Sequence, residues 1–116
     1  MPQPPDVRSF LPLTPAVFHI LLSLADEDRH GYGIAQNVET ATHGDVQLGP
    51  GTLYGTLDRL EGAGLVAETD QRARDERRRY FRLTPLGRTV ARAEARRLEQ
   101  LVGLARAKSL LSRGRL

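Results

Sequence analysis

Pro50-Gly-Thr-Leu-Tyr-Gly-Thr-Leu-Asp-Arg-Leu-Glu-Gly-Ala-Gly-Leu-Val66 is the stretch whose reading decides the fold. Within it Leu53, Leu57 and Leu60 recur at i, i+4 and i+7, the spacing that puts one apolar stripe of a helix against a core. The opposite face carries Thr52, Gly55, Thr56 and Arg59, which are small or hydrogen-bonding residues plus one long cation. A helix that needed only solubility would carry lysines and glutamates there. The spacing predicts a helix from Pro50 to Ala63. Gly62 and Gly64 flank its end, where a left-handed residue is needed. Asp58 and Glu61 read as a solvated or ion-paired edge.

Leu65–Thr69 and Arg78–Leu83 follow as short strands, with the charged residues Asp70–Arg77 between them as a loop. A helix, a strand, a charged loop and a second strand are the outline of a winged helix-turn-helix. A helix that enters a DNA major groove needs a slim face with donors and acceptors, which is what the Thr-Gly-Thr-Arg face supplies. Thr52 and Thr56 are suited to a phosphate or a thymine methyl. Arg59 is suited to a guanine edge or a phosphate, and the sequence leaves both open. Tyr54 has two readings as well, a hydroxyl on a phosphate or a ring packed at the core edge. In the loop and its flanks, Arg72, Arg74, Arg77, Arg78 and Arg79 surround Asp75-Glu76. Arginines at a wing tip enter the minor groove or grip flanking phosphates; the alternative is a hairpin charged only for solubility. Tyr80, Phe81 and Leu83 read as sheet packing rather than base stacking.

Upstream, residues 1–12 are proline-rich and without periodicity, and read as a flexible N-terminal arm. Thr14-Pro15 opens a first helix whose residues Val17, Phe18, Ile20, Leu21, Leu22 and Leu24 are apolar nearly all round. Asp26, Glu27 and Asp28 are expected just beyond its end, because anions sit poorly at a helix C-terminus. His30-Gly31-Tyr32-Gly33 starts a second helix that runs to about Ala41. Downstream, Thr84-Pro85 repeats the Thr-Pro opening and begins a long helix read as Pro85 to Leu111. Leu98, Leu101, Leu104 with Ala105, and Leu111 form a stripe on a helix too long for so small a domain. Such a stripe usually meets a partner helix, so it is assigned to dimerisation. The fold class is therefore mainly α with a small β-hairpin: an arm at 1–12, a winged helix-turn-helix at 13–84, and a C-terminal dimerisation helix with a basic tail at 85–116.

The totals narrow the function. The net charge of +3 over 116 residues conceals an asymmetry: residues 1–71 hold three arginines against ten acids, and residues 72–116 hold fourteen of the seventeen cations against four acids. Gathered cations point to a polyanionic partner. There is no cysteine, which excludes disulfides and thiolate chemistry. No apolar run approaches the ~18–20 residues of a membrane span. The N-terminus lacks the basic and apolar regions of a signal peptide, so a cytoplasmic location is expected. His19, His30 and His43 have no metal-ligand spacing, and Gly49–Gly55 lacks the Lys-Ser/Thr of a phosphate loop. No catalytic residue, metal site or cofactor is expected, and the chain is read as a non-enzyme.

Three segments together resemble the PadR family of bacterial transcriptional regulators: His30-Gly31-Tyr32-Gly33-Ile34, the Pro50–Val66 stretch, and Arg78-Arg79-Tyr80-Phe81-Arg82-Leu83-Thr84-Pro85-Leu86-Gly87-Arg88. The match spans about residues 13–90, and the short remainder is similar to the family's compact branch with one dimerisation helix. The resemblance implies a winged-helix DNA-binding domain, a homodimer, and usually a repressor relieved by a small-molecule effector of unspecified identity. Since a two-fold dimer presents two equal reader helices, the DNA operator is expected to be an inverted repeat. Gly49 stands where the family often has a capping serine, and Gly55 where the residue is commonly larger. A reading from another class is a winged-helix module for protein–protein contact, acting through its long helix.

Overall fold

The computed structural model describes residues 6–69 and 78–112. Val7–Phe10 form one 3-10 turn, followed by helix α1 (Pro15–Ser23), strand β1 (Arg29–His30), α2 (Gly31–Ala41), α3 (Pro50–Gly62), β2 (Val66–Glu68), β3 (Tyr80–Leu83) and α4 (Pro85–Ala107). The fold is mostly helical with a three-stranded antiparallel sheet in the order β1-β3-β2. Val66 pairs with Leu83 and Glu68 with Phe81, while Arg29 pairs with Phe81 on the other edge. The strand β1 adds to the expected hairpin; two residues carry no periodicity by which to be seen.

Each helix begins where its local chemistry favours it. Thr14, His30 and Thr84 are N-caps whose side chains accept from the backbone N–H of Val17, Gly33 and Gly87. Pro15, Pro50 and Pro85 fill first-turn positions, where a missing N–H costs nothing. Ends are closed by carbonyl-capping turns. Gly64, at φ +82°, lets Leu65 N–H reach the Leu60 carbonyl at 2.9 Å, which stops α3 and aims β2. The same closure ends α4 early. Ser109 adopts φ 64° and Leu110 N–H bonds to the Ala105 carbonyl, so the helix stops at Ala107 rather than Leu111. Asp26 lies beyond α1, as charge–dipole reasoning requires, and pairs with Arg29 at 3.4 Å.

The core collects Ile20, Leu21 and Leu24 from α1, Ile34 and Val38 from α2, and Leu53, Leu57 and Leu60 from α3, with Phe81 from the sheet and Val90 from α4. The sheet is anchored to α4 by Thr84, whose hydroxyl donates to the Gly64 carbonyl at 2.6 Å while accepting from Gly87 N–H. Gly87 itself is required by crowding, since a Cβ there would overlap the Leu65 carbonyl. In the segment read as an arm, Val7, Phe10 and Leu11 pack against the core, and the 3-10 turn lies on α4. A proline-rich composition hid three apolar anchors. Among the described residues, no helix is long and apolar enough to cross a membrane.

Candidate nucleic-acid interface

With a helix advancing 100° per residue, the outward face of α3 has a central strip made of Gly51, Gly55, Asp58 and Gly62. Thr52 and Arg59 border it on one side, Tyr54 and Glu61 on the other. A Cβ placed at Gly51 or Gly62 would meet nothing within 4 Å, and at Gly55 only the Arg59 guanidinium, at 4.0 Å. The helix backbone is therefore bare along most of this face. Gly49, the N-cap, supplies no side-chain bond, so the first-turn N–H groups lack a side-chain cap. Free N–H groups and the positive dipole end make that turn a favourable place for an anion.

Thr52 and Arg59 are exposed, as expected for this face. Thr56 is not. It is only 4% exposed and its hydroxyl accepts from Arg59 Nη2 at 3.2 Å. The apolar stripe is one residue wider than leucine spacing alone showed, because Thr56 sits between Leu53 and Leu60 on the helix surface. Thr56 thus orients Arg59 instead of presenting its own side chain. Tyr54 is half-buried at the core edge, its hydroxyl end against Gly31 where α2 begins.

Arg79, assigned from sequence to phosphate contact, is already engaged. Its Nη2 lies 3.2 Å from Glu68, 3.4 Å from Asp58 and 3.8 Å from Glu61. Its guanidinium also covers the rings of Tyr54 and Phe81, at 5.9 and 5.1 Å from their centroids. The hydrogen bond to Glu68, ahead of the charges of Glu68 and Asp58 and against the cost of burial, raises its pKa above the ordinary arginine value. The alternation of β3 explains the placement: Phe81 points into the core and Arg79, two residues earlier, leans over the same edge toward α3. Arg78 Nη1 lies 2.7 Å from His30 Nε2, joining the end of the wing to the cap of α2. Arg72, Arg74 and Arg77 lie outside the described residues.

Two exposed residues beside α3 carry no clear mark in the sequence. Tyr32 is 62% exposed on the first turn of α2, and its hydroxyl accepts from Gln36 Nε2 at 3.3 Å. Both line a groove of about 860 Å³ between α2 and α3, closed on the α3 side by Pro50, Leu53 and Tyr54. Tyr32 was legible only as part of the His30–Ile34 segment that starts α2, and Gln36 not at all.

At the other end of the molecule, α4 is buried only in its first half, through Gly87, Val90 and Glu94. Beyond Glu94 the apolar residues open to the surroundings: Leu98 and Ala105 are half-buried, and Leu101, Leu104 and Leu111 are 48%, 60% and 48% exposed. Leu22 on α1, 45% exposed, adds to the apolar surface.

Comparison with known proteins agrees with this architecture. Residues 20–93 match the model of the transcriptional regulator PadR-like family. The chain is 45% identical to the transcriptional regulator Rv3488 of Mycobacterium tuberculosis over 84 residues, 72% of this chain and 75% of that one. The chain belongs to the PadR-like family of transcriptional regulators. A PadR family regulator from Clostridium difficile shares the fold with a TM-score of 0.66 at 22% identity, covering 78% of this chain and 94% of that one. The transcriptional repressor CouR, solved bound to a 23-mer DNA duplex, aligns with a TM-score of 0.62 at 28% identity, covering 91% of this chain and 75% of that one. Within this PadR-like chain, the matched region runs from α1 through the sheet into the first half of α4, and so contains the α3 face.

Proposed function

We propose that this PadR-like chain is a sequence-specific DNA-binding regulator that acts in the cytoplasm as a homodimer. The observation that carries the reading is the α3 face: glycine backbone bare along most of its central strip, an N-terminal turn without a side-chain cap, and Arg59 bonded to Thr56 beside it. A helix so trimmed fits a major groove about 12 Å wide, and its long cation reaches base edges or phosphates. Tyr32 and Gln36 stand beside it, placed for the sugar–phosphate backbone. The wing arginines Arg72, Arg74 and Arg77 add phosphate contacts. The two-fold axis of the dimer passes by the exposed stripe of α4, so the operator is an inverted repeat. Repression follows from occupancy of such a site near a promoter, and a small molecule entering the apolar gap between the long helices and the first helices relieves it.

Titration of fluorescent duplexes across a salt series tests the function. Tight, sequence-selective binding that falls steeply with salt supports it. Equal, weak binding to every duplex, together with a stable complex formed through α4 with another protein, supports the interaction module instead.

A further inference from the structure

Asp58 is the one residue of the central α3 strip that has a side chain, since its neighbours there are Gly51, Gly55 and Gly62. Its carboxylate is 63% exposed and is met through Oδ1 by Arg79, at 3.4 Å. An acid at the centre of a face that meets DNA would ordinarily be a liability, because it repels phosphates. Two features of its setting change that. The first is position: with glycines at 51, 55 and 62, the Asp58 carboxylate stands furthest out from the helix axis along the strip, where a groove floor rather than a phosphate ridge comes closest. The second is Arg79, which reaches it from the base of the wing and is itself fixed by Glu68 and Glu61 and by the rings of Tyr54 and Phe81. The guanidinium engages one carboxylate oxygen and leaves the other to accept from elsewhere.

We infer that Asp58 is a base-reading residue of α3, accepting a hydrogen bond from an exocyclic amine on the major-groove floor, and that Arg79 is the positioning residue that aims it. The inference rests on the DNA-binding reading above. Cytosine N4 suits a carboxylate acceptor because it has an acceptor, guanine O6, on one side only and the C5–H edge on the other; adenine N6 stands between thymine O4 and its own N7, whose lone pairs both oppose a carboxylate. The expected signature is one C·G pair in each half-site that is demanded by Asp58. Glu61 and Glu68 are, by contrast, only 39% and 26% exposed at their side chains and serve to hold Arg79.

The test is a set of duplexes built from the best site selected by the wild-type dimer, each with one base pair replaced, titrated with wild type, Asp58→Ala, Asp58→Asn, Arg79→Met and Arg79→Lys. Circular dichroism on each variant confirms folding. Wild type is expected to bind on the order of 10-fold or more weakly when one particular C·G pair per half-site is replaced. Asp58→Ala flattens the profile at that pair alone, and Asp58→Asn moves the preference there to A·T, since asparagine pairs with adenine N6 and N7. Arg79→Met blurs the same pair while Arg79→Lys restores part of it, and neither lowers the salt slope, as removing a phosphate-neutralising charge would. An Asp58→Ala protein that binds all duplexes more tightly with its profile intact overturns the inference: the carboxylate is then only a counterion of Arg79. So does a fall in salt slope on Arg79→Met. A wild type with no preference at any position overturns the DNA-reading function itself, and the inference with it.

Discussion

Arg97 grips both carboxylate oxygens of Glu94, Nε to Oε1 at 2.7 Å and Nη2 to Oε2 at 2.9 Å. Glu94 is 2% exposed, and its Oε2 also accepts from Leu13 N–H at 3.3 Å. One turn of α4 therefore holds the segment that leads into α1, and this pair, with Glu94 buried and Arg97 half-buried, joins the N-terminal packing to the helix assigned to dimerisation.

The pair makes stability depend on pH with a definite sign. The hydrogen bond from Arg97 is the largest influence on Glu94; with the Arg97 charge and the Leu13 amide it outweighs burial and lowers the pKa. A carboxyl whose pKa is lowered by folding contributes stability above its unfolded value and loses it as pH falls through the folded one. Thermal melts of wild type and Glu94→Gln, taken from about pH 7 to about pH 3, should therefore show wild type more stable at neutral pH and a gap that narrows into acid. A constant gap across that window would mean that the charge of Glu94 contributes nothing.

The exposed apolar stripe predicts self-association. Burying a leucine side chain is worth about 1.5–3 kcal/mol, so joining Leu101 and Leu104 with their mates across a two-fold axis supplies a substantial driving force. Light scattering at micromolar concentration should give twice the chain mass for wild type. Leu101→Glu with Leu104→Glu should give the mass of one chain, with the helical spectrum of the winged domain retained and DNA affinity much reduced. A monomeric wild type would leave the stripe without its assigned role.

Much of this fold was legible in the sequence because it rests on local rules. Thr-Pro openings, a Gly64 end and leucine spacing place α1, α3 and α4 with little reference to the rest of the chain. What escaped depended on contacts between distant residues. The strand β1 exists because Arg29 and His30 lie beside Phe81 and Tyr80, some fifty positions away. Thr56 and Thr52 are chemically identical and four positions apart on one helix, yet a small change in helix rotation buries one. Arg79 sits in an arginine-rich run in sequence, and its three acidic partners come from α3 and β2, eleven to twenty-one positions away, which local spacing does not reveal.

The glycines of the chain should separate folding from DNA binding. Gly55→Leu fills open space and improves helix propensity by about 0.8 kcal/mol. The variant should melt at a higher temperature than wild type while binding its operator at least several-fold more weakly, because the new side chain stands on the α3 face. Gly87→Ala should do the reverse. Its Cβ collides with the Leu65 carbonyl, so the expected cost is about 1–3 kcal/mol of stability, with the α3 surface untouched in whatever fraction remains folded. Unchanged operator affinity in Gly55→Leu would show that this face does not approach DNA.

Arg59 and the wing arginines should fail in different ways. The Arg59 guanidinium is steered by the Thr56 hydroxyl beside the glycine strip, where base edges are within reach. If it makes a bidentate contact to guanine, Arg59→Ala should cost about 1–3 kcal/mol and relax specificity at one base pair per half-site. Thr56→Val keeps the buried volume and removes only the acceptor, so it should give a weaker version of the same relaxation with the fold intact. Arg72→Ala, Arg74→Ala or Arg77→Ala should instead weaken specific and random duplexes by similar factors. Each should lower the salt slope by roughly one unit for every phosphate left without its arginine, and in a symmetric dimer each substitution frees one phosphate per half-site. Dissociation constants on operator and random duplex, measured across salt for every variant, separate the outcomes. Equal weakening of both duplexes by Arg59→Ala would make Arg59 a phosphate clamp, and wing variants that change neither affinity nor slope would make the wing a hairpin charged only for solubility.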